Sequence, residues 1–145
     1  AAIRANFEQA NQEALADYHG ERARRYARLK LAGLREAPTQ LAVFCDEATP
    51  QGRGLGRKTM PEMLRYSVVT AIQNLWLAAR SLDVGVGWVS ILDPAQVRRD
   101  LAVADDWALV AYLCVGYPCT ETTEPELETE GWEARRSLDD MLLRR

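Results

Sequence analysis

The 145-residue chain is 48% hydrophobic and 27% charged, with a formal net charge of -3. This is the balance of a single globular domain long enough to bury a core. Mild acidity argues against a nucleic-acid partner, which would need a strongly basic surface to neutralise phosphates. No apolar run reaches the ~18–20 residues of a membrane span and no signal peptide is visible, so a cytoplasmic protein with no membrane partner is expected.

Ile3, Phe7, Ala10 and Ala14 recur at helical spacing from the first residues, with no capping residue before them. The chain is therefore expected to open inside a helix running to Tyr18, and to be truncated at its N-terminus. His19-Gly20 breaks that helix, and a second stretch from Glu21 to Leu34 places Tyr26, Leu29 and Leu34 on one side. The same stretch carries Arg22, Arg24, Arg25, Arg28 and Lys30. That cluster reads as the solvated face of a covering helix, with phosphate or partner contact as the alternative.

After Pro38, Leu41 to Cys45 is a short apolar run of the kind a buried strand shows. Asp46 to Lys58 gathers Gly52, Gly54, Gly56 and Pro50 into a loop. Its glycines depart from the G-x-G-x-x-G spacing of a dinucleotide site, which favours a mobile loop over a phosphate cradle. Thr59-Met60-Pro61-Glu62 carries an N-cap, a first-turn proline and a capping-box glutamate, so a helix is expected to begin at Thr59. From Val68 to Ala79 it is apolar on nearly every side, which predicts a central helix enclosed all round. Gln73, Asn74 and Trp76 interrupt the run, and buried amides there would need neighbouring backbone, a dimer partner or a ligand.

Gly85-Val86-Gly87-Trp88-Val89-Ser90-Ile91 then reads as a strand whose glycines let backbone lie against a flat ligand, with the Ser90 hydroxyl beside it. Asp93-Pro94 opens a short helix to about Leu101, and Trp107 to Val115 is a further buried strand ended by Gly116-Tyr117-Pro118. Strands separated by helices imply a sheet covered on both faces, in an α/β or α+β three-layer arrangement of one domain spanning 1–145. Residues 119–145 turn acidic and lose periodicity. Trp132, Leu138, Met141 and Leu142 nevertheless suggest a tail that docks on another surface, such as a second subunit. A single histidine, His19, and three cysteines without a C-x-x-C pair leave almost nothing for a metal site or a Ser-His-Asp triad. Cys45 and Cys114 are expected as buried free thiols, and chemistry here would need a borrowed cofactor.

Four stretches together carry a family resemblance. They are Leu55-Gly56-Arg57-x-Thr59-x-Pro61-x-Met63, Gln73 to Arg80, Gly85 to Ile91, and Glu124-Pro125-Glu126-Leu127 ahead of Gly131-Trp132. In this combination and order the chain resembles the 5,6-dimethylbenzimidazole synthases of cobalamin biosynthesis, a branch of the FMN-dependent nitroreductase family. The resemblance implies an α+β, nitroreductase-like three-layer α/β/α sandwich with a central mixed sheet. It also implies an oxidoreductase that takes reduced FMN as substrate with dioxygen and fragments the flavin to 5,6-dimethylbenzimidazole and erythrose 4-phosphate. Gly87, Trp88, Val89 and Ser90 would line the flavin, with Ser90 as the catalytic hydroxyl. Leu29 would cover the ring and Arg135 would meet the FMN phosphate. A strand serine bonded to a carbonyl and a solvated tail arginine are the alternatives for Ser90 and Arg135. The family's basic R-R-x-x-R-type segment, its acidic catalytic residue and its A-P-S-type turn have no counterpart in these residues.

A homodimer and a flavin reductase supplying reduced FMN follow from the same resemblance as expected partners. An ordinary FMN-dependent NAD(P)H nitroreductase and a non-catalytic flavin-binding module stay open beside it.

Overall fold

The computed structural model describes residues 1–29 and 33–143. Lys30, the last basic residue of the arginine cluster, lies outside them. Helix α1 (Ala2–Ala16) and helix α2 (Gly20–Arg28) are separated at His19, the break expected from His19-Gly20. There follow β1 (Thr39–Asp46), α3 (Met63–Arg80), β2 (Gly85–Val89), α4 (Pro94–Asp100), β3 (Trp107–Gly116) and the short α5 (Glu126–Thr129).

The strands form one sheet in the order β1-β3-β2, with β3 antiparallel to both neighbours. Its residues alternate between two buried faces, as period-two geometry requires. On one face Ala111 and Leu113 join Val86 and Ile72, with Val68, Trp76 and Ala79 of α3 packed around them. On the other, Tyr112 and Cys114 join Val89, Leu34 and Val97, with Ile3 and Phe7 of α1 against them. Helices thus cover both faces, and the α+β three-layer expectation holds. Among the described strands the pairing is antiparallel throughout, where a mixed sheet was expected.

The α1/α4 layer is pinned by a buried amide. Asn6 donates from Nδ2 to the Asp93 carbonyl at 3.0 Å and accepts the Asp93 amide at 2.8 Å. Asp93 itself caps α4, its carboxylate accepting from the amides of Ala95 and Gln96. The Asp93-Pro94 signature therefore works as its chemistry predicts, by satisfying amides that have no helical partner.

Three further expectations need correction. Helix α3 begins at Met63 and not at Thr59, because the Thr59 hydroxyl donates to the Gly56 carbonyl at 3.4 Å and caps nothing. The second helix ends at Arg28, and Leu34 lies beyond it in a turn while still reaching the core. Helix α3 is not enclosed: Ile72 is its one buried residue, while Tyr66, Val69, Leu75 and Leu77 are exposed. Gln73 and Asn74 are exposed as well, so water can satisfy their amides. Among the described residues no helix is long and apolar enough to cross a membrane.

Candidate functional site

The β2–β3 pairing places Gly85 opposite Gly116 and Gly87 opposite Cys114. All four lie on the sheet face that also carries Val89 and Tyr112, so this end of that face is nearly free of side chains. The chain before β1 and the chain after β3 rise on either side of the bare patch. Gly33, Glu36, Ala37 and Pro38 form one wall, and Tyr117, Pro118, Cys119 and Thr120 form the other. The resulting groove has a volume of about 280 Å³, just below the ~300 Å³ at which small-molecule pockets usually begin.

The floor glycines are there for different reasons. A Cβ on Gly116 would sit 2.7 Å from Pro38 Cδ, so that glycine is required for the wall to pack. On Gly85 it would come within 3.3 Å of the Gly116 carbonyl oxygen. On Gly87 the nearest atom would be the Cys114 carbonyl oxygen at 3.8 Å, an ordinary contact. Gly87 also has no positive φ. Nothing within the described chain requires glycine there, and a side chain would project into the groove.

The electrostatics of the groove are mild. Burial pushes the Cys114 thiol upward, helped by the nearby Glu36 carboxylate and opposed by a hydrogen bond from the Gly33 backbone. The thiol is therefore a neutral, soft surface at physiological pH. Behind it, Tyr112 donates its hydroxyl to Gln40 Oε1 at 2.9 Å, and Gln40 Nε2 donates to the Leu34 carbonyl at 3.1 Å. That relay fixes the Gly33–Pro38 wall to the central strand, and burial raises the Tyr112 pKa as well. Among the described residues no Lys or Arg lines the groove. Its chemistry suits a flat, neutral or polarisable ring more than an anion. Among the described residues no group of three or more His, Cys, Asp or Glu could hold a metal ion.

The residues expected at the site fall in several places. Gly87 lines the groove. The Trp88 side chain lies on the opposite face, packed with the Ile72 cluster, and Val89 is buried in the core beneath Tyr112 and Val97. Both follow from strand alternation, which sends neighbours to opposite faces. Ser90 follows the strand with an exposed side chain that makes no hydrogen bond among the described residues. Leu29 is half-buried at the end of α2 and is not part of the groove. Arg135 is exposed beside α5, with Nε 4.0 Å from a Glu128 carboxylate oxygen. Leu29 and Arg135 are thus not brought to Gly87.

The residues that sequence reasoning missed are Cys114 and Gly116 on the floor and Pro38 and Tyr117 on the walls. One signal could have found the floor. Cys114-Val115-Gly116 mirrors Gly85-Val86-Gly87 across an antiparallel pair, with its small residues on the same face.

Residues 1–117 match the nitroreductase family. The chain is 61% identical over 131 residues to a 5,6-dimethylbenzimidazole synthase from Rhodospirillum rubrum, covering 90% of this chain and 62% of that protein. It is 47% identical over 133 residues to a protein of the same name from Rhodobacter capsulatus, covering 92% and 64%. The chain therefore spans less than two thirds of the length of these relatives. A nitroreductase family protein from Streptococcus pneumoniae superposes with a TM-score of 0.54 at 18% identity, over 94% of this chain and 74% of that one. One from Clostridium difficile gives 0.56 at 18% identity, over 92% and 84%. These two likenesses support the fold, and the match over residues 1–117 settles the assignment: the chain belongs to the nitroreductase family.

Proposed function

We propose that this chain acts in a flavin-consuming oxidoreductase. Reduced FMN and dioxygen would be the substrates, and 5,6-dimethylbenzimidazole and erythrose 4-phosphate the products. The observation that carries the reading is Gly87, a glycine that neither its φ nor its neighbours require, facing a groove floored by glycines. A flat heterocycle is the kind of ligand such a floor accepts, since backbone can approach a ring only where no Cβ intervenes. The name carried by the relatives from Rhodospirillum rubrum and Rhodobacter capsulatus supports the more specific chemistry.

The residues present fit the ring portion of FMN. Gly85, Gly87 and Gly116 would lie under it, Pro38 and Tyr117 would flank it, and the neutral Cys114 thiol would present a polarisable surface. When bound, reduced FMN would supply both the electrons for dioxygen and the carbon skeleton that is cut. The groove contributes by excluding water from one face of the ring and holding it flat. Ser90, just past the end of the same strand with its hydroxyl free of hydrogen-bond partners among the described residues, is the group we assign to orienting a proton. An unassisted serine is too weak a base to remove one. We assign the FMN phosphate to a basic residue outside the groove, and Arg135 stays the candidate within this chain. Arg135 would have to leave Glu128, an exposed pair whose loss costs little.

A second copy of the chain is proposed over α3. Tyr66, Val69 and Leu77 form an exposed stripe on a helix whose apolar content suits burial. A reductase delivering reduced FMN is the further partner implied.

The test is to mix reduced FMN with the protein under air. Irreversible loss of flavin absorbance with release of 5,6-dimethylbenzimidazole is expected. Clean return of intact FMN, with electron transfer to nitro or quinone acceptors, would replace this reading with that of an ordinary FMN-dependent reductase. Binding without either reaction would leave a flavin-binding module. Gly87→Val should abolish FMN binding while the thermal midpoint holds, and unchanged binding would remove the groove from the site.

A further inference from the structure

The acidic tail does not hang free. Its segment from Glu126 to Trp132 folds back on α2, and it does so beyond the residues that match the nitroreductase family. The Trp132 ring lies edge-on to Tyr18, centroids 5.3 Å apart at 88°, and 5.9 Å from Tyr26. The Arg22 guanidinium sits over both Trp132 and Tyr18, at 5.1 and 5.4 Å from the ring centroids. Arg25 donates to the Gly131 carbonyl, and Arg28 faces Glu130 at 3.9 Å. Gly131 takes a φ of +64° so that the Trp132 amide can turn back to the Leu127 carbonyl at 2.8 Å. Arg22, Arg25 and Arg28 thus find partners in the chain's own tail, while Arg24 pairs with Glu21 of α2.

This clasp matters because α2 has little else. Among the described residues it packs on α1 and on no other helix or strand, and nine residues are too few for a helix to persist alone in water. From the other side the Tyr26 hydroxyl donates to Asn11 Oδ1 at 2.8 Å and the Tyr26 ring packs on Tyr18, centroids 5.0 Å apart. Trp132 is half-buried against the buried Tyr26, and the polar clasp contacts around it are exposed: the Arg28 and Glu130 side chains keep 60% and 37% of their surface. Contacts of that kind open at low cost, well below the cost of unfolding a sheet.

We propose that residues 126–132 are a detachable latch, with Trp132 as its key and Arg22 as its cationic clamp, and that α2 and the tail open together while the sheet stays closed. Trp132 and Arg22 are positioning residues in this arrangement. The chain beyond α2 returns as the Gly33–Pro38 wall, so latch opening would loosen one side of the groove. This last step rests on the groove being the flavin site.

Hydrogen exchange on the whole 145-residue chain tests the latch without any ligand. In Trp132→Ala the amides of residues 20–28 should exchange about tenfold faster or more, the size expected when a stacked cation–π contact is lost, while those of β3 hold. Trp132→Phe should recover most of the protection, and Arg22→Lys should recover more than Arg22→Gln, a ranking that loss of packing alone would not produce. Unchanged α2 exchange in Trp132→Ala, or parallel loss in α2 and β3, would overturn the latch. FMN dissociation followed by stopped flow reads the second step, and faster release from Trp132→Ala is expected. Unaltered release beside faster α2 exchange would sever the latch from the groove. Failure of the wild-type chain to bind FMN would instead count against the groove and leave the latch standing on the exchange data.

Discussion

Two stretches of this chain have the same Gly-x-Gly look and opposite physical meaning. In the loop before α3, Gly52, Gly54 and Gly56 have φ of +72°, +75° and +80°, and a Cβ on any of them would meet nothing within 4 Å. Backbone conformation requires glycine there, and space does not. At the β2–β3 floor none of Gly85, Gly87 and Gly116 has a positive φ; neighbouring atoms demand glycine at Gly116 and crowd Gly85, while at Gly87 neither reason applies within the described chain. A glycine motif therefore says little until one knows which of the two reasons applies. Only a glycine that neither reason explains, as at Gly87, points toward a ligand.

Three substitutions would break or sharpen that contrast, read first as changes in thermal midpoint. Gly116→Ala should cost most, about 1–3 kcal/mol, because the new methyl would lie 2.7 Å from a proline ring that cannot swing aside. Gly54→Ala should cost about 1–2 kcal/mol through its left-handed backbone alone, with no effect on FMN binding. Gly87→Ala should change stability by no more than about 0.5 kcal/mol yet weaken FMN binding clearly. If Gly54→Ala weakened binding and Gly87→Ala did not, the two stretches would exchange roles.

A smaller effect separates floor from rim. Cys119 is exposed at the groove mouth and Cys114 is buried on the floor. Iodoacetamide at neutral pH should label Cys119 first, as mass increments on peptides would show. The Cys114 pKa is raised in the folded state, so its neutral form is favoured by folding. Its contribution to stability is complete below the ordinary thiol pKa and is lost as pH rises through the raised value. Labelling of Cys114 should therefore climb only at alkaline pH. Equal labelling of both cysteines at pH 7 would show that the floor is open.

Much of this was legible from local signals. The His19-Gly20 break, the β1 run and the Asp93-Pro94 cap each depend on residues adjacent in sequence, and all three stand. The Gly85–Val89 strand was legible as well, and alternation alone could have separated Gly87 from Trp88. Less legible was anything that depends on distant chain. The wall at Pro38 is fixed by Gly116, and the fate of the Thr59 hydroxyl depended on where the Gly56 turn placed a carbonyl. The α3 pattern read as full enclosure, but apolar content reports that a surface suits burial without naming what buries it. Arg135 was assigned by its place in the chain, and its nearest charge is a neighbour in the same tail.

The central position of β3 reaches beyond the groove to the order in which the molecule assembles. Among the described strands both outer ones bond to β3 alone, and β3 is the last of the three in chain order. Gln40 and its partner Tyr112 are 72 residues apart. During synthesis β1 therefore waits on the order of seconds without the strand it pairs with here, until the ribosome delivers β3. Closing so long a loop first also makes the folding step slow for a chain of this size. The nascent sheet is most vulnerable to off-pathway pairing while β1 is exposed and β3 is still in the exit tunnel.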